Sequence, residues 1–202
     1  MVLVVGFDLD MTLVDSRPGI LATLRALSAE TGVTVDAELV VDRLGPTLED
    51  EMANWYPPEE VAGVCDRFRE LYVDHGVPGT HPLPGALAAL AAVSAADGRS
   101  LVITAKFEPN ARQCLAHVGM TVDEVFGWRY GPDKAVTLTE QGARVYVGDT
   151  PTDMAAARAA SVVGVGVPTG PHTADELLEA GADVVLPTLE RFPAWLRQLP
   201  AA

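Results

Sequence analysis

Five short apolar runs punctuate the chain: residues 2–7, 100–104 (SLVIT), 144–149 (RVYVGD), 161–167 (SVVGVGV) and 183–187 (DVVLP). They are continuous in aliphatic residues instead of alternating with polar ones, which is the pattern of strands covered by helices on both faces. Helix-patterned stretches separate the later runs. Gly119, Gly142 and Gly181 follow them as C-terminal caps, and Pro84, Pro109 and Pro151 suit first helical turns. This alternation predicts an α/β fold, a doubly wound Rossmann-like core around a parallel sheet.

Between residues 15 and 82 the pattern changes. Helical spacing recurs over 18–31, 36–43, 47–55 and 58–75 with no sheet strand among them. The chain therefore divides into an α/β core made of residues 1–14 and 83–202 and a helical cap subdomain, 15–82, inserted after the first strand. Such an insertion stands over the carboxyl ends of the strands, where open α/β sheets bind ligands. Residues 16–18 and 75–84 are its natural hinges.

Composition narrows the function. The 202 residues are 49% hydrophobic and 21% charged, as in a globular chain, and the formal net charge is −14. That charge repels nucleic-acid phosphates and anionic membrane surfaces, so neither is an expected partner. Cys65 and Cys114 lie far apart and outside any CxxC spacing, which indicates two reduced thiols. The apolar start lacks a basic leader and no apolar run approaches a membrane span, so a cytoplasmic location is expected.

The first run ends in DLDMT, residues 8–12. By the two-residue alternation of extended chain, Asp8 and Asp10 face the same side, and like charges that close raise one pKa. One group then carries a proton beside an ionised neighbour, a pairing suited to acid and nucleophile roles. Acidic residues at a strand end are also ordinary turn formers, with Thr12 and Ser16 serving local backbone groups. Other strand ends favour chemistry. Thr104 closes the second run with a hydroxyl able to meet a phosphoryl oxygen, and GDTPTD, 148–153, offers Asp149 and Asp153 as hard oxygen ligands for Mg²⁺. Thr150, Pro151 and Asp153 also have the spacing of a capping box, so Asp149 is the expected direct ligand and Asp153 a support. Among twelve Arg there are only two Lys, Lys106 and Lys134. Lys134 stands early in an expected helix, where a cation gains nothing from the helix dipole, so neutralising the acidic pocket suits it better.

Asp8-Leu-Asp10-Met-Thr12, Thr104, Lys134 and Gly148-Asp149 to Asp153 occur in the order of the four signatures of the haloacid dehalogenase-like hydrolase superfamily, which the chain resembles over nearly its whole length. Residues 15–82 match the position of that family's C1 helical cap, and the overall style is similar to phosphoglycolate phosphatase-like members. The resemblance implies an aspartyl-phosphate on Asp8, with Asp10 protonating the leaving oxygen and then activating water. It implies that Thr104 and Lys134 hold the phosphoryl oxygens, and that Mg²⁺ is held by Asp8, Asp149, Asp153 and the Asp10 backbone carbonyl. The function implied is a Mg²⁺-dependent phosphatase for a small phosphorylated metabolite, phosphoglycolate among the options. A phosphomutase is the alternative. A non-catalytic phosphometabolite or Mg²⁺ binding protein is the reading from another class, against which the full set of Asp8, Asp10, Lys134 and Asp149 speaks.

Met11 departs from the glycine common at that place in the family, and its side chain is expected to narrow the site or pack against the cap. Arg43, near an inter-helix turn, and Lys106, two residues past Thr104, are candidate binders of a substrate anion. GVGVPTG, 164–170, lacks GxGxxG spacing and reads as strand and turn. The four histidines show no ligand spacing, and Trp128 and Trp195 are expected to be packing residues.

Overall fold

A computed structural model describes residues 2–200. The elements in order are β1 (Val4–Phe7), β2 (Val14–Asp15), α1 (Arg17–Thr31), α2 (Ala37–Asp42), α3 (Leu48–Met52), α4 (Pro58–His75), β3 (His81–Pro82), α5 (Ala86–Ala95), β4 (Arg99–Ile103), α6 (Glu108–His117), β5 (Glu124–Phe126), α7 (Pro132–Glu140), β6 (Val145–Gly148), α8 (Pro151–Ala159), β7 (Val163–Gly166), α9 (Ala174–Glu179), β8 (Val184–Val185) and α10 (Phe192–Leu196). Six strands form one parallel sheet in the order β5-β4-β1-β6-β7-β8. The chain builds one half outward from β1, then returns to add β6 on the other side. This is the Rossmann-like α/β arrangement expected from the sequence.

Strand parity assigns the two faces. Val5, Phe7, Val102, Val145 and Val147 point to a core shared with α5, α6 and α10. Val4, Leu101, Ile103 and Tyr146 point to the opposite core, with Leu138 of α7 and Ala157 of α8. Phe7 is fully buried and contributes roughly 1.5–3 kcal/mol by leaving water. Gly6 faces the second core, where an added Cβ would lie 3.0 Å from both Leu138 and Tyr146. The absent side chain makes room for the tyrosine ring.

Helices α1 to α4 fall close to the spans read from periodicity, and they have an apolar core of their own built on Leu24, Leu27, Met52, Cys65 and Tyr72, with Cys114 added from α6. The chain enters and leaves this segment side by side. Val14 pairs with Pro82 and Asp15 with His81 in a two-residue antiparallel ladder. That ladder was not legible beforehand, nor was β5, which pairs with β4 through Glu124, Val125 and Phe126. Pro84 also differs from expectation: it precedes the cap residue Gly85, whose φ of 86° begins α5, instead of sitting in the first turn. Gly119, Gly142 and Gly181 all take the left-handed conformation, with φ of 68°, 63° and 105°, just past their helices. No helix among the described residues is long and apolar enough to cross a membrane.

Candidate active site

The Asp8 N–H donates to Val147 O at 2.8 Å, so Asp8 continues the sheet register of β1 beside β6. Leu9 is fully buried and anchors the loop. The chain then turns sharply: Thr12, Leu13 and Val14 all donate to Leu9 O, and Met11 takes a φ of 59°. A β-carbon in this region costs roughly 1–2 kcal/mol. Met11 is 1% exposed and lines the cleft, on a strained backbone. The Thr169 hydroxyl donates to Met11 O and ties the loop to the segment after β7.

Asp149 and Asp153 flank the start of α8, following β6. Thr150 and Asp153 form the expected capping box, with Asp153 Oδ2 accepting from Thr150 N at 3.1 Å and Thr150 Oγ1 at 2.7 Å. Asp153 Oδ1 accepts from Lys134 Nζ at 2.6 Å and from the Tyr146 hydroxyl at 3.1 Å. Gly148 is required here because a Cβ would come within 2.4 Å of the Asp153 side chain. Asp149 Oδ1 accepts from Thr12 Oγ1 at 3.0 Å, a contact that gives the threonine of DLDMT a role its spacing did not reveal.

These elements bring Asp8, Asp149 and Asp153 together, each buried and each offering a carboxylate oxygen within 4.8 Å of the others. Lys134 Nζ lies 3.1 Å from Asp8 Oδ1, but Asp8 Oδ1 has no hydrogen-bond partner. Burial pushes Asp8 up to about 7; Lys134 opposes this, while Asp153 and Asp10 add to it. Burial and then the charges of Asp153 and Asp8 likewise raise Asp149. Burial alone would lower Lys134, yet Asp153 and Asp8 hold it well above its ordinary value. Fully ionised, three carboxylates against one ammonium would leave two negative charges in excess, and that crowding is part of what raises Asp8 and Asp149. An orphaned buried oxygen and that excess of carboxylates fit a hard divalent cation.

The Asp10 carboxylate is outside this cluster. Both its oxygens meet Lys106 Nζ, at 3.0 and 3.2 Å, and the same ammonium sits 4.3 Å over the Tyr72 ring of α4. Lys106 is largely withdrawn from water, which acts to lower its pKa, but Asp10 and Tyr72 hold it raised. Thr104 is 2% exposed and accepts from Lys106 N–H at 3.2 Å, so its own hydroxyl hydrogen remains free to turn toward a ligand.

Asp8, Asp10, Thr104, Lys106, Lys134 and Asp149 line one cleft between the sheet and the helical segment. Arg43 lines it too, but its fork is held by Glu51, with Nε–Oε2 at 3.0 Å and Nη2–Oε1 at 2.6 Å. None of the four histidines is among its lining residues. Trp195 packs on Phe192 as expected. Trp128 does not pack inside: its φ is 53°, it is 56% exposed, and it reaches the cleft stacked on Phe107 with ring centroids 5.1 Å apart. Its position after the three-residue edge strand β5 carries it outward. Arg69 of α4, which nothing in the sequence singled out, lies 5.6 and 5.5 Å from the Phe107 and Trp128 rings.

A family model described as haloacid dehalogenase-like hydrolase matches residues 5–158. The chain is similar to a phosphoglycolate phosphatase of Rhodospirillum rubrum, 30% identical with 94% of this chain and 89% of that protein covered. One from Mesorhizobium japonicum is 28% identical, with 83% of each chain covered. Among solved structures, a haloacid dehalogenase-like hydrolase family protein from Streptococcus pneumoniae superposes with a TM-score of 0.82 at 22% identity, covering 96% of this chain and 98% of that one.

Proposed function

The chain belongs to the haloacid dehalogenase-like hydrolase family, and from that premise we propose that it hydrolyses a small phosphorylated metabolite through an aspartyl-phosphate on Asp8, with Mg²⁺ as cofactor. Its class is that of a phosphatase. The finer reading draws its support from one observation: Asp8, Asp149 and Asp153 crowd around Lys134 with two negative charges in excess when fully ionised and Asp8 Oδ1 unsatisfied.

Asp8 and Asp149 would hold Mg²⁺, with Asp153 supporting from α8 and the Asp10 carbonyl as the backbone donor. Bound there, the ion would offset phosphoryl charge as the leaving oxygen departs. In the first step an Asp8 oxygen attacks phosphorus while the bond to the leaving oxygen breaks, and Asp10, carrying a proton on one oxygen while the other stays on Lys106, gives that proton to the leaving oxygen. In the second, water attacks phosphorus, Asp10 takes the proton, and the Asp8–phosphorus bond breaks to release phosphate. Lys134 holds charge beside Asp8, and the Thr104 hydroxyl donates to a phosphoryl oxygen. Lys106 fixes where the Asp10 carboxylate sits.

Residues 15–82 act as a cap in this reading. They have an apolar core of their own that meets the α/β part at Cys114 of α6, join it through the β2–β3 ladder, and wall the cleft with Leu24, Val40, Met52, Phe68 and Tyr72. Closure over the site would exclude water during the first step. A cytoplasmic setting fits two buried thiols left unpaired. The names of the relatives make phosphoglycolate a substrate to assay. Asp8→Asn is the test: phosphate release from an aryl phosphate should fall on the order of 10³-fold or more with the circular dichroism spectrum intact. Activity that survives the substitution contradicts the assignment.

A further inference from the structure

Every cation that lines the cleft, among the described residues, already faces a carboxylate of the protein. Arg43 is held bidentately by Glu51, which is 6% exposed and also accepts from Trp55 Nε1 at 2.8 Å. Arg69 is engaged by Glu49 and Asp66, and its remaining Nε is buried beyond a ligand's reach. Lys106 is on Asp10, and Lys134 is on Asp153 and Asp8. Glu49, Glu51 and Asp10 are in turn paired with these cations, so a charged leaving group would meet no unpaired partner among them.

The rest of the wall is apolar. Leu24, Val40, Leu44, Met52 and Phe68 line it from the helical segment, while Phe107 and the exposed face of Trp128 form an aromatic shelf on the sheet side. The cavity measures about 160 Å³, against the ~10–15 Å³ that one water requires, so it has room beyond a phosphoryl group.

We infer that the leaving group of the substrate is uncharged and apolar, an aryl or arylalkyl alcohol, and not a carboxylate-bearing alcohol such as glycolate. The inference rests on the phosphatase reading above and deepens it. A carboxylate on the leaving group would have to take a cation from its partner. Taking Arg43 strands the buried Glu51 carboxylate, and taking Lys106 releases Asp10, the group that must face the leaving oxygen. A flat apolar group takes no partner away. It covers the exposed part of Trp128, which returns free energy on leaving water.

Benzyl phosphate and 2-phosphoglycolate provide the comparison, because both release a primary alcohol and differ in bearing a phenyl ring or a carboxylate. With purified full-length protein and Mg²⁺, kcat/KM is expected to favour benzyl phosphate by about tenfold or more. Trp128→Ala, at an exposed position, should raise KM for benzyl phosphate several-fold more than KM for phosphoglycolate. Glu51→Gln, which keeps an acceptor for Trp55 and frees the Arg43 fork, should move the preference toward phosphoglycolate. A wild-type preference for phosphoglycolate, or a Trp128→Ala effect equal on both esters, overturns the inference and leaves the phosphatase reading standing. Absence of turnover on either ester and on an aryl phosphate overturns both.

Discussion

Stripping divalent ions should make stability fall as pH rises from 5 to 7, opposite to the behaviour of salt-bridged surface acids. The cause is Asp8, pushed by burial from 3.8 to about 7. An acid with a raised pKa binds more protons in the folded chain than in the unfolded one between those two values, so deprotonation there favours unfolding. Two pH units of that window, at 1.36 kcal/mol each, come to about 3 kcal/mol for Asp8 alone. Asp149 is raised too and acts in the same direction. Acids lowered by arginine, such as Asp15 beside Arg17, titrate below this range and leave the slope untouched. For a chain of this size about 3 kcal/mol corresponds to roughly 6–12 °C in Tm. Thermal melts in EDTA at pH 5, 6 and 7 read it directly, with Asp8→Asn alongside. Mg²⁺ fixed at 100 times its Kd at pH 8 should restore about 2.7 kcal/mol at that pH and less at pH 5, because its ligands must be deprotonated. A metal-free Tm that is flat or rises from pH 5 to 7, or a slope unchanged in Asp8→Asn, refutes the reasoning.

At Met11 the left-handed backbone makes a testable order: Met11→Gly should be more stable than Met11→Ala by about 1 kcal/mol in urea denaturation, although glycine is smaller. The reverse order would show that the loop carries no such strain. Thr12→Val removes the donor to Asp149 Oδ1, so it should weaken Mg²⁺ binding roughly 10-fold by calorimetry and, by leaving a buried carboxylate oxygen without its partner, also lower Tm in EDTA. Gly170→Ala would put a Cβ 2.0 Å from Asp149 Oδ2, so metal affinity should fall further than in Thr12→Val. Equal affinities in Gly170→Ala and wild type would mean that Asp149 is not a ligand.

Much of the architecture was legible because the strands are continuous aliphatic runs ended by polar residues. Helices α1 to α4 followed from spacing, and Asp8, Asp149 and Lys134 converge because β1, β6 and α7 present their ends at the same rim. What escaped the sequence depends on partners far along the chain. Lys106 reaches Asp10 across 96 positions, and nothing local to Lys106 announces it. Arg43 read as an anion binder because its fork counted as free; Glu51, eight residues on, occupies it. Trp128 read as core because tryptophan usually packs, but the left-handed backbone after a three-residue edge strand turns it to the cleft. The β2–β3 ladder is two residues long, too short for any periodicity to register.

The central claim is that phosphorus passes to Asp8. Rapid acid quench of the wild-type enzyme turning over an aryl phosphate with Mg²⁺, followed by peptide mapping, tests it most directly. The account predicts a phosphoryl group on the peptide carrying Asp8, absent in Asp8→Asn. Phosphorylation mapped to any other residue would contradict it.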